Sequence, residues 1–214
     1  MSARLIAADV AYRRGGRTVL DGLSMSVGAG EMVAVVGPSG SGKSSLLAVL
    51  GGLEPPDSGT VRLDDEPLRV GDPVQRRRFG LVLQGYGLLT LLTAAENVEI
   101  ALQARGVIGQ EARLLAGDAL AELGIAEVSR KLVEKLSGGQ QQRVAIARAL
   151  VTSPDVVLAD EPTAELDHGS QDVVIEALRT AADNGAAVVI ATHDPEVAAQ
   201  CDRALRFHEG MLAS

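Results

Sequence analysis

One string of eight residues constrains this chain more than any other: Gly37-Pro38-Ser39-Gly40-Ser41-Gly42-Lys43-Ser44, set between an apolar run, Glu31 to Val36, and a helix-like stretch, Ser45 to Leu50. It matches G-x-x-x-x-G-K-[ST] in the context that pattern requires, a strand before and a helix after. Its glycines let successive backbone N–H groups converge on one anion, and the helix N-terminus adds positive potential. Lysine occurs only at Lys43, Lys131 and Lys135. A compact ammonium suits a phosphate cradle and arginine does not replace it freely, so a lysine inside this loop is informative. Lys43 is expected to reach the β- and γ-phosphates of a nucleotide, and the Ser44 hydroxyl to ligate Mg²⁺.

The rest of the pattern places this loop in an α/β fold. Leu5 to Val10 and Thr18 to Val27 read as strands around a Gly15-Gly16 turn. Gly51-Gly52 stops the helix after the loop, and Pro55, Pro56 and Gly59 mark a further loop. Thr60 to Leu63 and Phe79 to Leu83 are the next candidate strands. From about Gly85 to Val151 the pattern turns helical. Thr93 and Glu96 form a capping-box pair, Gly106 ends that helix, and Ala112, Leu115, Ala119 and Leu123 recur at helical spacing before Gly124. Val156 to Ala159 and Ala187 to Thr192 are uniformly apolar strands. Between them Val173, Val174, Ala177, Leu178 and Ala181 mark one helical face, ended by Gly185. Short apolar strands alternating with helices imply a parallel sheet covered on both faces. The expected architecture is an α/β core (residues 1–84 and 152–214) with an N-terminal antiparallel flank and a helical insertion at about 85–151.

Two further strings carry chemistry. The strand Val156 to Ala159 runs into Asp160-Glu161-Pro162. Ligands of open α/β sheets bind beyond the carboxyl ends of the strands, and two acids there are costly to bury without a cation. Asp160 suits Mg²⁺ and Glu161 suits orienting an attacking water. Upstream, Ser137-Gly138-Gly139-Gln140 is an S-x-x-Q capping box whose glycines expose N–H groups at a positive helix end. This is a second place for a phosphate. Either one fold binds two nucleotides, or two copies meet head to tail and each lends its second site to the other's first.

Composition excludes several classes. Apolar residues make up 46% and aromatics 2%, so the core must be aliphatic. No apolar run approaches the roughly 18–20 residues of a membrane span, and the N-terminus does not read as a signal peptide. Cys201 is the single cysteine, in keeping with a reducing, cytoplasmic setting. A formal charge of −8 argues against nucleic acid as a partner. The basic run Arg76-Arg77-Arg78 reads as a solvated strand entry.

Together these strings resemble the ATPase subunits of ABC transporters over essentially the whole length. Gly37 to Ser44 is similar to the Walker A loop of that P-loop NTPase fold. Leu136 to Gln140 resembles the signature motif, Val156 to Asp160 Walker B, and Glu161 the catalytic glutamate. The resemblance adds Gln84 as the Q-loop glutamine that contacts Mg²⁺, His193 as the γ-phosphate switch histidine, and Tyr12 as an adenine-stacking ring. Ser45 follows the phosphate loop, and Asp167 closes the D-loop. It implies ATP and Mg²⁺ as ligands, with the metal held by Ser44, Gln84 and Asp160. It also implies a head-to-tail homodimer in which Ser137, Gly138, Gly139 and Gln140 of one copy complete the ATP site of the other. A transmembrane permease is implied as the partner, docking near the Q-loop and helical segment and holding the chain at the inner face of the membrane. Phe79 to Leu102 looks most like the branch containing lipoprotein-release, macrolide-export and cell-division ATPases, so export or lipoprotein release is expected. Signalling or cell-wall control through a membrane partner, without transport, is the alternative. One departure stands out: the D-loop reads Ala164-Glu165-Leu166-Asp167 where the family usually has S-A-L-D.

Overall fold

The computed structural model describes residues 3–208 and 210–213. The chain opens with β1 (Ala3–Arg14), β2 (Arg17–Gly28) and β3 (Met32–Val36), followed by α1 (Lys43–Leu50). Next come β4 (Ser58–Leu63), β5 (Glu66–Pro67), α2 (Pro73–Arg76) and β6 (Phe79–Val82). Three helices follow, α3 (Ala94–Gln103), α4 (Gly109–Glu122) and α5 (Gly138–Leu150), before β7 (Val156–Asp160) and α6 (His168–Asp183). The last elements are β8 (Ala187–Thr192), α7 (Pro195–Ala199), β9 (Arg203–His208) and β10 (Met211–Ala213).

Two sheets form. One is antiparallel, in the order β2-β1-β4-β5; the other runs β10-β9-β3-β8-β7-β6, parallel except for its β10 edge. Side chains of the parallel strands alternate between two cores. Val33, Val35, Val156, Leu158, Val189 and Ala191 pack with α1 and the antiparallel sheet. Met32, Val157, Ala159, Val188 and Ile190 pack with α3 to α6. A strand with apolar residues at every position is stable only when both faces are covered, which is the arrangement found.

The register sets the site. Val36 lies opposite Thr192, Asp160 opposite Ala191, and Val82 opposite Ala159. Four parallel strands therefore end at one edge, and the residues that follow them meet above it.

Two helical faces differ from the sequence pattern. In α4 the buried residues are Ala112, Ala116, Ala119 and Leu120, with Leu123 just beyond the end, while Leu115 is 39% exposed. At about 100° per residue Leu115 lies on the shoulder of that stripe, and alanines mark the true face only weakly. In α6 the core takes Val174, Ile175, Leu178 and Ala182, with Ala177 and Ala181 partly buried against it, while Val173 lines an open groove of about 910 Å³ between α4 and α6.

The basic run is not merely solvated. Arg76 ends α2, and Arg78 lies 2.5 Å from both Asp64 and Asp155, with Arg4 also 2.5 Å from Asp155. Carboxylates from β4's turn and from the entry of β7 reach Arg78 only because the two sheets pack together, and no local pattern reveals that.

Candidate functional site

The loop after β3 runs directly into the N-terminus of α1. Gly42, the residue before α1, has φ +106°, and an added Cβ would meet Val19 at 2.9 Å. Only glycine takes that conformation without strain. α1 consequently begins at Lys43, two residues earlier than the periodicity suggests. Its N-terminal N–H groups have no side-chain cap, so they remain free to bind an anion. Lys43 folds back along the loop. Its ammonium donates to the carbonyls of Gly37 (2.8 Å) and Pro38 (3.1 Å), and only 6% of the residue is exposed.

The carboxyl ends of β7 and β8 supply the opposing groups. Glu161 has φ +47°, a left-handed conformation that is uncommon for a non-glycine residue and concentrates at functional sites. Its N–H donates to the Ala191 carbonyl at 2.9 Å, which holds the strained residue to the sheet. The carboxylate sits 2.9 Å from His193 Nδ1 and 3.6 Å from Lys43 Nζ. A carboxylate only accepts, so His193 Nδ1 carries the shared proton. His193 N–H also points at Glu161 Oε2, at 3.4 Å.

Asp160 is 6% exposed. Burial pushes its carboxyl above the ordinary value; the Ser44 hydroxyl works against this, Glu161 adds to it, and Lys43 opposes it. A buried acid whose ionised form lacks a full counter-charge fits a site that a cation completes. Among the described residues no three His, Cys, Asp or Glu side chains converge as a metal cage. The donors at hand are one carboxylate (Asp160), one hydroxyl (Ser44) and one amide (Gln84). All are hard oxygens, and they leave coordination positions for water and phosphate, as Mg²⁺ prefers.

A cleft of about 310 Å³ gathers Ser39, Gly40, Lys43, Ser44, Gln84, Asp160, Glu161 and His193. Five more residues share its walls without having been singled out as ligands: Gly85, Tyr86, Gln142, Ala164 and Glu165. The Tyr86 hydroxyl donates to Glu165 Oε2 at 2.5 Å. Gln142 is 5% exposed and its Nε2 has no partner. It follows the S-G-G-Q string by two residues, so helical spacing was its only available signal.

Several expected residues lie elsewhere. Tyr12 is 8% exposed and packs with the apolar core of β1 and β2. Ser137, Gly138, Gly139 and Gln140 do not line the cleft. They form the N-terminus of α5, where Ser137 Oγ accepts from Gln140 N (3.3 Å) and Gln140 Oε1 accepts from Ser137 N (3.2 Å). Asp167 caps α6 by accepting from Ser170 N at 3.0 Å.

The chain is similar to known proteins in sequence and in fold. Residues 20–164 match the family model described as ABC transporter. The macrolide export ATP-binding/permease protein MacB of Salmonella typhimurium is 45% identical over 199 residues, 91% of this chain and 31% of that protein. Its counterpart in Escherichia coli K12 is 44% identical over the same shares. The chain thus spans about a third of the length of the curated relatives it matches. Among solved structures, a dimeric post-hydrolysis state of the ATP-binding cassette MJ0796, bound to ADP and Pi, superposes with a TM-score of 0.91. It is 35% identical and covers 98% of this chain and 97% of its own. The structure of cbiO1 from Clostridium perfringens, part of the ABC transporter complex cbiONQ, gives a TM-score of 0.86 at 29% identity, covering 100% of this chain and 88% of that one.

Proposed function

This chain belongs to the ABC transporter family of ATP-binding cassettes, and from that membership we propose that it hydrolyses ATP as a head-to-tail pair to drive a transmembrane permease. The carrying observation is the meeting of Lys43, Asp160, Glu161 and His193 in one cleft at the carboxyl ends of β3, β7 and β8.

In this reading the loop Gly37, Pro38, Ser39, Gly40, Ser41 and Gly42, continued by Ser44 and Ser45 of α1, cradles the phosphates with its N–H groups. Lys43 exchanges the carbonyls of Gly37 and Pro38 for the β- and γ-phosphate oxygens. Ser44, Gln84 and Asp160 would hold Mg²⁺, which supplies charge neutralisation for the departing phosphate oxygens. Glu161 accepts the proton of the attacking water. His193 holds Glu161 through Nδ1–H, and as an imidazolium, with hydrogen on both ring nitrogens, it also donates Nε2–H to the γ-phosphate. Tyr12 offers its remaining exposed surface to the adenine.

Pairing follows from the separation of two anion sites. Ser137 to Gln140 lie outside the cleft of their own chain, so the N–H groups of Gly138 and Gly139, which the capping box does not use, can serve a nucleotide held by a second copy, with Asp167 beside the seam. The dimeric state of the MJ0796 cassette supports this. Leu89 and Leu91, 53% and 79% exposed in the segment after Gln84, are the surface we assign to the permease. That contact would place the chain at the inner face of a membrane; among the described residues no helix is long and apolar enough to cross one. Phosphate release from MgATP tests the reading. The rate per chain should rise with protein concentration, as two copies must meet; a rate independent of concentration from low nanomolar upward would count against pairing.

A further inference from the structure

The D-loop departure has a physical counterpart. Glu165 Oε2 lies against Gly138, where any added Cβ would overlap it, and the Tyr86 hydroxyl would lie 3.3 Å from that same Cβ. The Glu165 carbonyl and the Leu166 side chain cover Gly139 in the same way, at 3.2 and 3.1 Å. The two glycines of the signature turn are therefore roofed by their own chain. Among the described residues Tyr86 is the one hydrogen-bond donor to the Glu165 carboxylate.

That roof is held from behind. Gly85, Tyr86 and Gly87 all have positive φ (83°, 63° and 58°), a conformation that is strained for the tyrosine and persists only where the surroundings impose it. Arg148 imposes it: its guanidinium donates to the carbonyls of Tyr86 (2.8 Å) and Gly87 (2.6 Å). The ring is thereby presented to Glu165. Burial, the hydrogen bond to Glu165 and the charge of Glu165 push the phenol up to about 12, so it remains a donor at any working pH.

We propose that Glu165, held by Tyr86, is an internal anion that masks the signature turn of the unpaired chain and must leave before the phosphates of a second copy's ATP reach Gly138 and Gly139. The inference rests on the pairing reading above. A carboxylate packed against the first residue of α5 sits in the same positive potential that a phosphate would use, and its bulk and charge keep a second anion out. Glu165 thus sets the ATP level at which two copies close. An uncharged alanine, the usual family residue here, imposes no such threshold.

The test starts from the Glu161→Gln chain, whose paired fraction is measured by sedimentation against ATP concentration. Glu165→Ala should lower the ATP midpoint about three- to tenfold, the scale of one solvent-exposed hydrogen bond. Glu165→Gln should shift it less, and Tyr86→Phe should move it in the same direction. A loss of packing alone would raise the midpoint, so the sign separates the two. A midpoint unchanged or raised in Glu165→Ala overturns the inference while leaving pairing intact. A Glu161→Gln chain that never pairs at any ATP level removes the pairing reading and this inference together.

Discussion

His193 Nδ1 and Glu161 Oε1 lie 2.9 Å apart across the ends of two adjacent parallel strands, with Lys43 Nζ 3.6 Å from the same oxygen. The one carboxylate is thus shared by a lysine and a histidine from different parts of the fold. Glu161→Gln keeps the shape and a hydrogen-bond acceptor but removes the base. It should leave ATP binding intact, lower single-turnover phosphate release by about 10²–10⁴-fold, and accumulate the ATP-bound pair. Release within threefold of the parent would remove Glu161 from the role of base.

Lys43 makes a different prediction, because without nucleotide it is already satisfied by two carbonyls of its own loop. Lys43→Ala should lower the melting temperature of the free protein, because those two carbonyls and Glu161 lose the cation they share. It should abolish most of the stabilisation by ATP, which for the parent is about 2.7 kcal/mol at a hundredfold excess over the dissociation constant. Thermal unfolding with and without ATP reads both. An undiminished ATP shift would mean that the phosphates bind elsewhere.

How far the site was legible depends on where its contacts come from. The loop Gly37 to Ser44 and the Ser137–Gln140 capping box are local, and neighbouring residues satisfy each other as written. Which strand ends meet depends on sheet order, so the Glu161–His193 pair, 32 residues apart, was reachable only through the family resemblance. The Tyr86–Glu165 contact joins two loops 79 residues apart, and no periodicity refers to it. The burial of Ala116 rather than Leu115 was missed for another reason: where alanines fill the face, hydrophobicity barely distinguishes adjacent positions.

The cluster at the far end of the sheet carries a pH dependence. Burial opposes ionisation of Asp155, but the hydrogen bond and charge of Arg78, aided by Arg4, outweigh it and hold the carboxyl below the ordinary value. A depressed carboxyl stabilises the fold above its unfolded value of about 3.9 and loses that contribution as pH falls through the folded value. Arg78→Ala should cost about 1 kcal/mol at pH 7, given that these side chains are a third or more exposed. The gap to the parent should narrow in urea unfolding as pH drops below about 4. A gap of constant size would mean that Arg78 acts through packing alone.

Leu89 and Leu91 are exposed on a backbone that is not loose. Asn97, 1% exposed on α3, accepts from Leu89 N at 2.8 Å and donates to the carbonyls of Leu89 and Thr93, both at 3.0 Å. One buried amide thus fixes how the leucines are presented. Surface substitutions such as Leu89→Ser with Leu91→Ser should leave stability and basal hydrolysis unchanged while lowering the share of the protein recovered with membranes. Asn97→Ala should do the same and in addition destabilise the fold by about 1–2 kcal/mol, since two backbone groups of Leu89 lose a partner at a part-buried site. The two variants separate presentation from contact. If both keep full membrane recovery, the permease meets another face of the chain.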